Sequence, residues 1–269
     1  MTALTAVAAV TESIAVGPLV LDLGLRNPVL TAKSAATLEL VSGGRLELGL
    51  GAGYVARNFA ASGLPFEGPA DRIAKLEESL TLMRRLWTEP STTWHGRFCD
   101  VTDAPMAAAS PVNPTVLIGG GGRRVMQLGG RTADIVSMIP KQDRGDWSMA
   151  ESLADSTVAR LEQRAAWVRE GAEEAGRDPA EIQLHTLVTT TIVGDDVGPA
   201  MAKATSDTGV PASILAESTL ALMGTGEQVC ERLREWHSRA GVSYVSLFDP
   251  GEEQIEYLAA EVVGPLGAG

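Results

Sequence analysis

The stretch from Ser42 to Tyr54, Ser-Gly-Gly-Arg-Leu-Glu-Leu-Gly-Leu-Gly-Ala-Gly-Tyr, constrains the fold more than any other part of the sequence. Its three leucines occupy alternate positions, which predicts a strand whose apolar face lies under helices. The opposite face ends in Gly49 and Gly51, although strands normally avoid glycine because it packs nothing and costs backbone entropy. This bare patch predicts either a seat for a flat cofactor ring or a close strand crossing, and the periodicity leaves both readings open.

Strand-length apolar runs alternate with helical segments along the whole chain. We predict six strands, near residues 14–21, 45–51, 115–119, 135–138, 182–193 and 242–248. Because each strand is followed by a helix of about ten or more residues, neighbouring strands should be parallel and joined by right-handed crossovers. The result is an α/β fold, whereas a closed parallel barrel would need eight strands.

The connections between these elements support one domain that spans 1–269. Asn27-Pro28 is a helix start signal, with asparagine as the cap and proline at the first helical position. Thr225 and Gln228 form a predicted capping box. Residues 88–113 lack a helical period, so we predict an excursion at the rim of the fold, with an extended piece near 94–98.

Composition excludes several classes of protein. Lys+Arg 22 against Asp+Glu 34 gives a net charge of -12, which argues against binding to nucleic acid or to an anionic membrane surface. The two cysteines, Cys99 and Cys230, have neither metal-ligand nor disulfide-exchange spacing, as in a reduced, cytoplasmic protein. The amino terminus lacks a basic region and an apolar run of about 20 residues, so we expect neither a signal peptide nor a membrane span.

Four consecutive glycines, from Gly119 to Gly122, lie between a predicted strand and a helix that begins near Arg123. Glycine lets backbone amides approach a ligand, and amides at a helix start carry partial positive charge. Arg123 and Arg124 lie in the first helical turn, where cations are disfavoured unless an anion binds there. The pattern is neither a Walker loop nor a clean dinucleotide fingerprint. We predict a phosphate-binding turn, with a merely tight turn as the alternative.

Three further side chains bear on the chemistry. The phenol of Tyr54, at the end of the glycine-rich strand, could stack on a ring or simply pack at a helix start. Glu47 should point into the interior, where a carboxylate needs a partner such as Arg45 or Lys33. His185 could face the interior, although a satisfied core histidine is the more ordinary interpretation. We assign no catalytic residue, and the spacing of histidines and carboxylates predicts no metal site.

Four blocks of the sequence together resemble the luciferase-like monooxygenase superfamily of flavin and deazaflavin barrels. These blocks are Ala3–Leu21, Asn27–Tyr54, Pro114–Ser137 and Gly224–Phe248. The most specific feature is the combination of the glycine-rich strand with the later Gly-Gly-Gly-Gly-Arg. Within the superfamily, the sequence is most similar to actinobacterial oxidoreductases that depend on the deazaflavin coenzyme F420.

The resemblance implies a TIM-type (β/α) barrel that holds the cofactor ring at its carboxyl-end mouth. It also implies a non-prolyl cis peptide bond beside the ring, near Leu19-Val20, and a cofactor phosphate on the glycine turn. Residue patterns and resemblance together give the candidate cofactor-binding residues Leu19, Val20, Gly51, Gly53, Tyr54, Gly119, Gly120, Gly121, Gly122 and Arg123.

Two departures from the family pattern matter. Family members begin with a strand, a helix and a second strand that have no counterpart here, so we expect an incomplete barrel with about six of eight strands, the first two being absent. Some F420-dependent dehydrogenases carry a glutamate proton donor directly after the Gly-x-Gly of the fourth strand, where this chain has Tyr54.

The expected function is hydride transfer between coenzyme F420 and a small organic substrate. One alternative is a monooxygenase that uses flavin mononucleotide (FMN), and another is a non-catalytic, truncated paralogue that binds a cofactor. Since an open sheet edge is rarely left exposed, we also expect a homodimer or larger homo-oligomer.

Overall fold

The computed structural model describes residues 1–108, 111–142 and 148–267. The described strands are β1 (Leu21–Asp22), β2 (Glu47–Gly51), β3 (Ser91–His95), β4 (Asp100–Pro105), β5 (Thr115–Gly120), β6 (Ile135–Met138), β7 (Gln183–Val188), β8 (Thr190–Val193), β9 (Ala221–Gly224) and β10 (Val242–Leu247).

Helices follow most of these strands. They are α1 (Thr2–Val10), α2 (Pro28–Ser42), α3 (Ala56–Ala61), α4 (Pro69–Thr88), α5 (Arg123–Thr132), α6 (Met149–Ala154), α7 (Val158–Glu174), α8 (Gly198–Thr208), α9 (Ala212–Glu217), α10 (Gly226–Ala240), α11 (Glu252–Leu258) and α12 (Gly264–Gly267). A π-helical segment, Ala259–Val263, joins the last two.

A six-stranded parallel sheet forms the centre of the molecule, in the order β1-β2-β5-β6-β7-β10. Its two outer strands, β1 and β10, do not pair with each other, so the barrel is not closed. This confirms the predicted α/β architecture of a TIM-type barrel with six strands. That residues 1–269 form one domain remains our proposal.

The helices cover the outer face of this sheet. Leu48 and Leu50 of β2, Val116 and Ile118 of β5, and Val136 of β6 are completely buried. They belong to one hydrophobic cluster with side chains of α2, α4, α5 and α7. Because successive strand residues point to opposite faces, the alternate positions of the two strands, including Gly49 and Gly51 of β2 and Gly119 of β5, face the interior.

Local capping explains where two of the helices begin. The Asn27 side chain accepts hydrogen bonds from the amides of Val29 and Leu30, and Pro28 occupies the first position of α2. At the start of α10, the Thr225 and Gln228 side chains each accept a hydrogen bond from the other residue's amide. Both start signals were correctly predicted.

Two predicted strands differ from the observed ones. Residues 14–21 form a continuous strand in the prediction, whereas the described strand β1 has two residues, and Val16 makes only an isolated bridge to Leu46. The predicted strand 182–193 is divided into β7, in the central sheet, and β8, which pairs with the unpredicted strand β9. A β-branched run predicts extended backbone but not which sheet it joins.

The predicted rim excursion, 88–113, contains an antiparallel hairpin formed by β3 and β4. Its turn is held by Glu78 of α4, whose carboxylate accepts hydrogen bonds from the amides of Arg97 (2.9 Å), Phe98 (3.0 Å) and Cys99 (2.9 Å). Burial alone would raise the pKa of Glu78, but these hydrogen bonds outweigh it and hold the pKa below its ordinary value.

We expect Glu78→Gln to loosen the hairpin, at a cost of about 2 kcal/mol, because an amide oxygen cannot replace a carboxylate that accepts from several amides. Hydrogen exchange at residues 97–99 should accelerate more than exchange in β5. The stabilising effect of Glu78 is present at neutral pH and disappears as pH falls through its lowered pKa, so the variant should also lose part of the acid dependence of stability. Unchanged exchange at the turn would contradict this role.

In the parts of the chain that the structure describes, no helix is both long enough and apolar enough to cross a bilayer.

Candidate functional site

The carboxyl-terminal ends of β2 and β5, both rich in glycine, lie side by side in the sheet. The two strands are parallel neighbours, with Leu50 opposite Ile118. Gly51 and Gly119 are therefore adjacent at the carboxyl end, where parallel α/β folds place their ligands. The sequence predicted both bare tips, and the structure brings them together.

The segment before β1 crosses directly over these glycines. The Leu19-Val20 peptide bond is cis, at the position that the resemblance implied. A Cβ added to Gly49 would overlap the carbonyl oxygen of Pro18, and one added to Gly51 would lie 2.8 Å from the Val20 side chain. The strand-crossing interpretation thus explains Gly49 and Gly51. Val20 remains 39% exposed, so its outer surface lines the mouth.

Gly119 is less crowded than Gly51 and Gly120. The atoms nearest to an added Cβ would be Val20 Cγ1 (3.2 Å) and the Cβ of Ser137 (3.8 Å). By contrast, a Cβ on Gly120 would press against Val125 at 2.5 Å, because Gly120 points to the helix side of the sheet. Among the strand-end glycines Gly51, Gly119 and Gly120, Gly119 is therefore the least crowded, and Val20 lies in close contact with it.

The turn after β5 leads into α5, and Gly122 is the N-cap residue of that helix. Gly122 has no side chain that could accept hydrogen bonds from the first amides of α5. These amides can therefore donate to another acceptor. A Cβ on Gly121 would overlap the carbonyl oxygen of Ile139, which explains that glycine by packing. Arg123 pairs with Glu170 of α7 at 3.0 Å, so its position at the helix start does not by itself require an anion.

The opposite side of the glycine turn faces α6 and α7. A cavity of about 460 Å³ lies there, lined by Gly121, Lys141, Asp155, Arg160 and Arg164 among others. Carboxylates and cations alternate around it, and Arg164 forms an ion pair with Asp155 inside it. This mixed lining distinguishes the cavity from the mouth above Gly119.

The rim beyond β2 combines aromatic and charged groups. Gly53 has a φ of 77°, and a Cβ there would overlap the carboxylate of Asp22. Arg72 donates from Nε to the Gly53 carbonyl at 2.9 Å, and its guanidinium lies 4.1 Å from the ring centre of Phe66. Burial raises the pKa of Asp22 against the opposing effects of the Gly24 amide and nearby arginines. Tyr54 follows at this rim and is 37% exposed.

A row of polar side chains crosses the barrel interior below the mouth. His185 is completely buried, and its ring nitrogens bond to Ser137 Oγ and Ser246 Oγ, both at 2.8 Å. Tyr244 packs edge-on against the His185 ring, with centroids 4.8 Å apart, and donates to Glu47 Oε2 at 3.0 Å. Burial lowers the pKa of His185 to about 4, so the imidazole is neutral at pH 7.

This row corrects one expectation and confirms another. The partner of Glu47 is Tyr244, not Arg45 or Lys33. Arg45 instead donates to backbone oxygens near the end of α1, among them that of Ile14 at 2.6 Å. His185 does face the interior and is satisfied there. One sequence signal could have identified Tyr244, namely an aromatic residue at an inward position of the last strand. That signal does not show how close Tyr244 lies to Glu47.

The sequence profile of the luciferase-like monooxygenase family matches residues 1–216. The chain therefore belongs to this family, and the recognition from sequence is confirmed.

Among curated proteins, the chain is similar to the F420-dependent glucose-6-phosphate dehydrogenase of Kineococcus radiotolerans, with 30% identity over 212 residues. The alignment covers 78% of this chain and 58% of that relative. The chain thus spans less than two thirds of the relative's length.

Solved structures share the fold at low sequence identity. The coenzyme F420-dependent tetrahydromethanopterin reductase of Methanopyrus kandleri superposes with a TM-score of 0.74 at 22% identity, covering 98% of this chain and 86% of the reductase. The monooxygenase RslO1 of Streptomyces bottropensis gives 0.77 at 20% identity, covering 98% and 82%. Both comparisons support the luciferase-like barrel fold.

Proposed function

We propose that this chain binds coenzyme F420 at the carboxyl-end mouth and acts as an oxidoreductase on a small organic substrate. The observation that carries the proposal is the adjacency of Gly51 and Gly119 at one sheet edge, with Val20 crossing beside them. Similarity to F420-dependent dehydrogenases supports the choice of cofactor. When bound, the deazaflavin ring supplies the hydride chemistry.

The described residues fit such a group in shape and in polarity. Val20 and Leu19 would support one face of the ring, and the absence of a side chain at Gly119 would let the ring approach the strand ends. The amides at the start of α5 suit a phosphate, since partial positive charge accumulates there. Tyr54 lies at this rim with 37% of its surface exposed, where an aromatic ring would border the cofactor or the substrate.

Equilibrium titration with separate cofactors tests this assignment. Purified protein should bind F420 more tightly than FMN, as measured by quenching of cofactor fluorescence. Tight binding of FMN alone would refute the deazaflavin assignment and support the FMN monooxygenase, an alternative that the shared fold with a monooxygenase favours. Binding of F420 without turnover of any alcohol or carbonyl substrate would instead favour a non-catalytic cofactor-binding protein.

We predict that Gly119→Val weakens F420 binding by about tenfold or more, because the added side chain occupies the space proposed for the ring. The added side chain would also press on Val20, whose Cγ1 would lie 3.2 Å from the Cβ, so urea unfolding should first establish that the variant is folded. Gly119→Ala should have a smaller effect on binding, and Gly267→Ala, at an exposed helical position, should have none. Unchanged affinity in Gly119→Val would place the ring elsewhere.

We also propose that a homodimer or larger assembly covers the edges of β1 and β10. In the described structure each of these strands pairs with one neighbouring strand only, and proteins usually protect such an edge. Light scattering should give a mass at least twice that of one chain, and a monomer at micromolar concentration would contradict this.

A further inference from the structure

Arg164, in α7, is a buried cation beside the glycine turn. Only 2% of its surface is exposed. Its Nε donates to the carbonyl oxygen of Gly121 at 3.3 Å, and its Nη2 donates to the backbone oxygen of Asp155 at 3.1 Å while pairing with the Asp155 carboxylate. Burial lowers the pKa of Arg164 against the opposing charge of Asp155, and a guanidinium remains protonated in this setting. One side chain thus connects the turn after β5 to the end of α6.

The same ion pair also holds the neighbouring loop. Asp155 accepts a hydrogen bond from the amide of Lys141 at 2.7 Å, and the amide of Ile139 donates to the carbonyl oxygen of Gly120 at 2.9 Å. The loops that leave β5 and β6 are therefore joined to each other and to α7. Such a frame restricts the turn to one conformation before any ligand arrives.

The direction of the Gly121 carbonyl determines where the next amide points. In a trans peptide the C=O and N–H bonds are antiparallel. Because Arg164 draws the Gly121 oxygen toward α7, the Gly122 N–H points to the opposite side, away from α7. Gly122 is the N-cap of α5, so this amide lies beside the other unsatisfied donors of the helix start.

We propose that Arg164 is a positioning residue for the cofactor phosphate, because it orients the Gly121–Gly122 peptide so that its amide donates to that phosphate. This inference rests on the proposed function and goes beyond it by assigning a role to a residue outside the mouth. Arginine is required because its planar fork reaches Gly121 and Asp155 together, whereas a lysine ammonium reaches one partner.

The test compares F420 with the same deazaflavin ring and ribityl chain lacking the phosphate. Arg164→Lys keeps the charge beside Asp155 but loses the fork, so it should fold. We expect the variant to bind F420 about tenfold more weakly, as for the loss of one charge-assisted hydrogen bond, and to bind the phosphate-free analogue as tightly as wild type. Arg160→Lys is the matched control, since Arg160 pairs with the same Asp155 carboxylate at 3.1 Å; its preference should not change.

A second measurement, by nuclear magnetic resonance, uses a second variant and so does not depend on Arg164→Lys alone. The Gly122 amide resonance of wild-type protein should shift on titration with inorganic phosphate. This shift should be lost in Arg164→Lys and also in Asp155→Asn. If Arg164→Lys loses the same factor of affinity for F420 and for the phosphate-free analogue, so that the ratio of the two affinities is unchanged, the positioning role is overturned. Wild-type protein that binds neither deazaflavin would refute the proposed function itself, whereas wild-type protein that binds both equally would refute only the phosphate seat and the role of Arg164.

Discussion

Gly49→Ala is expected to destabilise the protein by about 3 kcal/mol, since a methyl group at this position would overlap a backbone oxygen. The Cβ would coincide with the carbonyl of Pro18, where the crossing segment touches β2. A flexible side chain could turn aside, but the backbone of two packed segments cannot move without separating them. Urea unfolding should show this loss of stability as a lower midpoint concentration with an unchanged m-value.

A matched control distinguishes this contact from the general effect of replacing glycine. Gly267 lies in the last helix, α12, and a Cβ added there meets no atom of another segment within 4 Å. Gly267→Ala should therefore be neutral or slightly stabilising. If Gly49→Ala unfolds at the same urea concentration as wild type, the crossing of β2 by residues 17–18 is wrong, and with it the proposed support for the ring.

Acidification should destabilise the protein through His185 by about 3 kcal/mol between pH 7.5 and pH 4. Burial lowers the pKa of this imidazole from its ordinary 6.5 to about 4 in the folded state. Below pH 6.5 the His185 imidazole binds a proton in the unfolded chain but not in the folded chain. The free energy of unfolding therefore decreases as pH falls toward 4. Above pH 6.5 the imidazole is neutral in both states and the effect vanishes.

The contribution of His185 is measured as a difference, because carboxylates titrate in the same range. Free energies of unfolding should be determined across this pH range for wild type and for His185→Gln. The variant should show a shallower loss of stability on acidification, whatever its stability at pH 7.5. Parallel pH profiles would mean that His185, between Ser137 and Ser246, is protonated in the folded protein without a loss of stability.

Local sequence signals predicted much of the fold. The start of α2 at Asn27-Pro28 and the capping box at Thr225 depend on residues within one helical turn, so the sequence contains all the information. The bare tips of β2 and β5 were predicted for the same reason. Their adjacency required only that consecutive parallel strands of an α/β unit pair with each other, which is the common arrangement.

Contacts between distant segments could not be predicted in the same way. The sequence suggested a basic partner for Glu47, and Arg45 is close to it in the chain. In the structure, however, Arg45 donates to backbone oxygens near the end of α1. The Arg164 contact with Gly121 joins residues 43 positions apart through a helix rotation that periodicity does not fix. The glycines themselves left two interpretations, and only the path of residues 17–20 showed that a crossing segment and an open mouth coexist.

The Tyr244–Glu47 hydrogen bond joins two residues that are 197 positions apart in the chain. It forms only when β2 and the last strand are both in place, with β5, β6 and β7 paired between them. Burial and the Glu47 charge raise the pKa of Tyr244. The chain has three tyrosines, so the alkaline titration of this phenol is obtained as the difference in ultraviolet absorbance between wild type and Tyr244→Phe. That difference consequently measures whether the sheet has assembled from its second strand to its sixth.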